Sequence, residues 1–127
     1  MNLTIDNPNW LVGWLLVLAA FLSGAIIGLG FHSEDFLGGY NSFRRRLLRL
    51  GHIACAALGM LNLLYALGHV NNPWASVGFI LGGITMPVVC WLTAWRHGFG
   101  RLFFIPVLSL LTAVVFTVSA GHVGGHP

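Results

Sequence analysis

The sequence predicts an all-α membrane protein, an antiparallel up-and-down bundle of four transmembrane helices forming one integral membrane domain over residues 1–127. Three observations predict it. The chain is 57% hydrophobic and only 7% charged, where a soluble domain carries about 25% charged residues. It holds four apolar runs, over about residues 8–31, 43–69, 73–96 and 102–120, each near the ~20 residues that cross a ~30 Å hydrocarbon layer. Every basic side chain is an arginine, and all six fall in the connections between runs 1 and 2 or 3 and 4.

The first run opens on Asn7-Pro8, a helix N-cap followed by proline at the first helical position. Trp10 and Trp14 mark a membrane interface. Ala20, Gly24 and Gly28 make a small-xxx-small ridge that lets a neighbouring helix come close. The leader before it has no lysine or arginine and contains Asp6, so the run reads as a span and not as a secretory signal. The connection from His32 to Ser42 holds Glu34 and Asp35, two of the three acids in the chain. They are expected to balance the arginines that follow. Gly38-Gly39 is a turn signal, and Asn41 or Ser42 can cap the second helix.

The second helix organises the chain. It begins with Arg44, Arg45, Arg46 and Arg49 and then runs apolar to His69. On a helical projection His52, Ala56, Gly59, Asn62, Ala66 and His69 drift along one side, and Leu50, Leu58, Leu61 and Leu64 lie on the other. One side faces lipid. The other leaves room for a neighbouring backbone or for a flat cofactor.

Asn72-Pro73 repeats the cap-plus-proline signal for the third helix, with Trp74 as an interfacial anchor. Gly78 and Gly82 form a second small pair. Pro87 at mid-span frees a carbonyl that Thr85 or a water can satisfy. Trp91 and Trp95 mark the other interface. Arg96 to Arg101 is read as a tight turn, so helices 3 and 4 are antiparallel neighbours. In helix 4 the hydroxyls of Ser109, Thr112, Thr117 and Ser119 bond back to their own helix, and Gly121 ends it.

The arginine distribution orients the chain. Positive charge stays on the cytoplasmic side, which places both termini outside, in the periplasm or extracellular space of a cell inner membrane. A formal charge of +3 without a basic stripe excludes nucleic-acid binding. No nucleophile elbow, phosphate loop or zinc-protease motif is present, and no acid lies inside a span, so no catalytic residue is assigned and an enzyme or carboxylate-driven carrier is disfavoured.

Histidine is the ionisable side chain left at membrane depth, and it is a common metal ligand. His32, His52 and His97 lie toward the arginine side; His69, His122 and His126 lie toward the other. His52 and His69 stand about 25 Å apart along a helix and can serve only separate sites. His52 can pair with His32 or His97, and His69 with His122 across a contact between helices 2 and 4. Bis-imidazole ligation of haem b is the leading cofactor expectation, with Gly59 and Asn62 beside the porphyrin. Copper on Cys55, Met60, Met86 and Cys90 is a weaker one. As bland alternatives, the histidines are interfacial residues and the cysteines small buried side chains.

Arg44-Arg45-Arg46-Leu47-Leu48 leading to Tyr65 and His69, then Thr85-Met86-Pro87, the basic turn Arg96 to Arg101 and Pro106 together resemble the four-helix membrane proteins of the cytochrome oxidase assembly (CtaM/YozB) type over residues 43–120. The resemblance implies a respiratory context: a non-enzymatic protein acting in oxidase assembly, or a haem-bearing accessory subunit. The expected partners are the lipid bilayer and a larger membrane complex, cytochrome oxidase among them, and a homo-oligomer also fits. The alternative is a cofactor-free structural subunit that packs against such a complex through its glycine ridges. A permease using the kinked third helix is a third reading.

Overall fold

A computed structural model describes residues 6–123; His126 lies outside them. The chain forms four long helices: α1 (Pro8–Gly30), α2 (Phe43–Leu67), α3 (Pro73–Trp95) and α4 (Phe104–Val123). All four segments are long and apolar enough to cross a membrane, and they make an all-helical bundle.

The helix starts follow the sequence signals. The Asn7 side chain accepts from the Asn9 N–H and Pro8 takes the first position of α1. The Asn72 side chain accepts from the N–H groups of Trp74 and Ala75, ahead of Pro73. Ser42, the second of the two expected caps, accepts from the Arg45 N–H. Each cap satisfies donors that the first turn leaves without an intrahelical partner.

The helix ends differ from expectation. α2 stops at Leu67, because Gly68 turns extended and its N–H closes on the carbonyls of Leu64 and Tyr65. His69 therefore lies beyond the helix. The expected tight turn after α3 is a 3-10 stretch, His97–Phe103, which leads straight into α4. Gly121 does not end α4, which continues to Val123; a helical glycine costs only ~1 kcal/mol relative to alanine. In the first connection Gly38 and Gly39 take φ of 90° and 89°, as a glycine turn allows. Leu37 beside them is also left-handed, at φ 55°.

α1 packs along α2, α2 along α3, and α3 along α4. A smaller α1–α3 contact closes a three-helix unit. α4 packs along α3, makes no extended contact with α1 or α2, and sets Leu110 against the α1–α2 core. The core lies on the α1–α2 seam, where Leu16 and Ala20 meet Ala54, Cys55 and Leu58, and Met86 and Trp91 of α3 cover it.

Close approach is set by glycine. A Cβ placed on Gly59 would stand 2.9 Å from the Gly13 carbonyl oxygen and 3.1 Å from Leu16 Cβ. A Cβ on Gly78 would stand 2.8 Å from the Ser109 carbonyl oxygen, and one on Gly82 would collide with Leu110. The small residues are thus spent inside the molecule, on α1–α2 and α3–α4 contacts. Of the first ridge Ala20 is in the core, Gly24 lies against His52, and only Gly28 is open.

The helical hydroxyls of α4 all donate to the carbonyl four residues back, at 2.7–2.8 Å. Pro87 sits buried inside a continuous α3. Thr85 does not serve the carbonyl that Pro87 frees; its hydroxyl donates to Leu81 O at 2.6 Å.

Candidate functional site

Two ends of the bundle carry the polar chemistry. At the end away from the arginines, α1, α2 and α3 are tied by a closed amide network. Asn9 and Asn62 are both completely buried. Asn9 Nδ2 donates to Asn62 Oδ1 at 2.9 Å and to the Ser76 carbonyl at 3.2 Å. The Ser76 hydroxyl donates to Asn9 Oδ1. Asn62 Nδ2 donates to the carbonyls of Leu58 and Phe79 at 2.9 and 3.0 Å. Every amide donor is used, so the network joins three helices and keeps none for a ligand. The Asn62 amide, expected beside a cofactor, here holds three helices together. Asn9 is a member of this network that the sequence reading missed. It sits in the first turn of a span, where polar side chains usually meet water, and only the packing of α2 and α3 over it makes it interior.

Above this network lies a polar bowl of about 650 Å³, walled by Asp6, Asn7, Asn71 and His69 among others. Beside it Tyr65 clamps the α2–α3 connection: its hydroxyl donates to the Asn72 carbonyl at 2.6 Å and accepts from the Asn72 N–H at 3.0 Å.

The histidines take separate neighbours. His52 is half-buried, and its Nδ1 lies 3.1 Å from the Ser23 hydroxyl of α1. That hydroxyl donates to the Ala20 carbonyl at 3.2 Å. The rest of the ring lies on Gly24, where a Cβ would stand 2.7 Å from Cε1. His97 is exposed and stacks on Phe43, with ring centroids 4.5 Å apart and planes 12° off parallel. His32, His69 and His122 are exposed. No group of three or more His, Cys, Asp or Glu side chains converges among the described residues.

Among the described residues, the contacts do not bring the expected histidine pairs together. Bis-imidazole ligation needs two imidazoles facing one another across a flat gap. The gap expected beside Gly59 is filled by Gly13 and Leu16 of α1. The α2–α4 seam expected to bring His69 to His122 is not formed, because α4 packs on α3. His52 is committed to Ser23 and Gly24, and neither His32 nor His97 shares that contact. For the copper set, Cys55 and Cys90 are buried free thiols and Met86 packs against the core that contains Cys55. Met60, however, is 60% exposed, unlike the two buried cysteines.

The arginine end is organised by aromatic rings. Arg45 is only 4% exposed. Its guanidinium carbon lies 4.6 Å from the Phe31 ring centroid, 5.9 Å from Phe36 and 5.8 Å from Tyr40. Its Nη1 donates to the Glu34 backbone carbonyl at 3.3 Å, and its Nε is buried without a partner. Arg49 lies over the other Tyr40 contact, 4.4 Å from that ring centroid, and donates to its carbonyl. The carboxylates of Glu34 and Asp35 are exposed and, among the described residues, form no ion pair with an arginine. Rings, not acids, therefore balance the buried cation, since an aromatic face attracts a guanidinium without a carboxylate's desolvation cost. Truncating Arg45 to alanine is expected to destabilise the protein by about 2 kcal/mol, the upper range of a desolvated cation–π contact. Lysine should recover only part of this because it lacks the flat stacking face. Thermal unfolding in detergent measures both.

Between α1 and α3 at this end lies a cavity of about 420 Å³. Its walls are Ile26, Ile27, Leu48, Trp91 and Trp95, with the first connection beneath.

Fold and site together define a small multi-pass α-helical membrane protein, its interior sealed by glycine contacts and one amide network. No protein-family model, curated protein or solved structure matches the chain.

Proposed function

We propose that this protein is a non-enzymatic helical subunit that packs against a larger membrane complex, acting in the assembly or upkeep of a respiratory oxidase. The observation that carries the reading is the position of α4. It is fastened along one edge to α3 and leaves Leu108, Leu111, Val115 and Val118 more than half exposed. A helix so sparsely covered by its own chain offers a long apolar flank to another set of helices, where van der Waals packing drives association. The glycine ridges offer little of that surface, because all but Gly28 are filled by the chain's own helices. The respiratory context rests on the resemblance to the CtaM/YozB type. The orientation rests on the arginines and puts both termini on the outer side of a cell inner membrane.

Deleting the gene is expected to lower the amount of assembled oxidase, and the tagged chain is expected to comigrate with that complex on native gels. Normal oxidase levels in the deletion strain would sink the proposal. A terminal tag should react with an impermeant reagent on whole cells. The purified protein is expected to be colourless; a stoichiometric Soret band lost in His52→Ala would restore the haem reading instead.

A further inference from the structure

We propose that the arginine end holds one anionic glycerophospholipid, with an acyl chain in the cavity between α1 and α3 and its phosphate on Arg44. The cavity follows from how the three helices are joined. α1 is drawn to α3 at the amide network, where Asn9 bonds Ser76, and again where a Cβ on Gly83 would meet Leu16 Cδ1 at 3.0 Å. Further toward the arginines the residues facing each other across α1 and α3 become Ile26, Ile27, Trp91 and Trp95, with space between them. At about 420 Å³ it falls within the ~300–1,000 Å³ range of ligand pockets. Its walls are apolar apart from Ser23, so ordered water would lack the polar partners it needs there. A hydrocarbon chain suits it.

Charge at the rim selects the headgroup. A smaller cleft adjoins the cavity and shares Leu37, Leu48 and Trp95 with it; its remaining walls are Arg44 and Ala94. Arg44 sets its guanidinium carbon 5.8 Å from the Trp95 ring centroid. The indole that walls the cavity thus also fixes the cation at its mouth. Arg44 is exposed and, among the described residues, has no carboxylate partner. Arg45, by contrast, is closed within its aromatic cage. An apolar recess with an unpaired guanidinium at its rim matches an amphiphile with one anionic head. This inference stands apart from the oxidase reading and needs only that the bundle sits in lipid.

The test uses the full chain with Trp10, Trp14 and Trp74 changed to phenylalanine, which leaves Trp91 and Trp95 as reporters. The protein is placed in phosphatidylcholine vesicles, and dibrominated phosphatidylglycerol or dibrominated phosphatidylcholine is titrated in as a contact quencher. The phosphatidylglycerol is expected to quench at about fivefold lower mole fraction, the preference that one arginine near the surface supplies. Arg44→Ala should bring the two lipids level, whereas Arg46→Ala, which changes a cation away from the rim, should keep the preference. Ile27→Phe should weaken quenching by both lipids by filling the recess, and it reports on the site even if Arg44→Ala misfolds. Equal quenching by the two lipids in the parent chain overturns the proposal. So does a preference that survives Arg44→Ala, or one that falls equally in Arg46→Ala, since that reports diffuse surface charge. Reversal of the preference by excess inorganic phosphate overturns it too, because the site would then take a free anion and not a lipid.

Discussion

Replacing Asn62 with leucine is expected to lower stability by about 2 kcal/mol, because it orphans a buried donor in addition to removing a hydrogen bond. With Asn62 gone, one Nδ2 proton of Asn9 has no acceptor at a position of zero exposure. The Leu58 and Phe79 carbonyls lose only a second partner, as each belongs to a helix. Asn9→Leu should cost a similar amount by stranding Asn62 Oδ1 and removing the acceptor of the Ser76 hydroxyl. The double substitution is the discriminating measurement. Removing both partners strands neither, so its cost should fall short of the sum of the single changes by about 1 kcal/mol. The protein carries its own reporter: Cys55 and Cys90 are 1% and 0% exposed, so a thiol-reactive dye reads unfolding directly. Additive costs would show that the amides act separately and not as one latch.

Gly59→Val is expected to be the most damaging single substitution on the α1–α2 seam, costing about 3 kcal/mol by overpacking. The added Cβ alone would stand 2.9 Å from a backbone carbonyl, and Val17 Cγ2 at 3.1 Å closes another direction. Backbone cannot rotate aside as a side-chain tip can, so α1 must move off α2. That motion would carry Ser23 away from His52 and strain the Asn9–Asn62 bond. Gly28→Val is the matched control on the same pair of helices. Nothing lies within 4 Å of its Cβ position, and it should change stability by less than about 0.5 kcal/mol. The melting midpoints of the two variants, read with the same dye, check the contrast. Equal midpoints would mean that the seam yields more readily than its backbone contacts imply.

Much of this was legible before any coordinates. Cap-plus-proline pairs at Asn7-Pro8 and Asn72-Pro73 mark helix starts because their chemistry is local: a side-chain acceptor and a preset φ act within one turn. The back-bonding hydroxyls of α4 and the turn at Gly38-Gly39 were readable for the same reason. Reading the glycines as close-approach positions was also sound, but which neighbour each one serves was not readable. A small-xxx-small ridge is identical in sequence whether it meets its own chain or a foreign one. Glu34 and Asp35 misled in the same way, since proximity in sequence suggested ion pairing with the arginines, while the fold brought aromatic rings there first.

The histidines show the limit most sharply. Spacing along the sequence set His52 and His69 far apart and ruled out one shared site. Whether either ring could meet a partner depended on which helices touch. α4 goes to α3, and the space at Gly59 goes to Gly13.

By itself the sequence determined the number of spans, their caps and the end on which the positive charge collects, because hydropathy, capping and charge act through contacts with solvent, lipid or the next few residues. Only the tertiary structure decided that Asn9 and Asn62 form one sealed latch, that Arg45 is caged by rings and that α1 and α3 part to leave a recess beside Arg44. Those outcomes depend on which helix faces are brought together, and the periodicity of a single helix carries no record of its neighbour.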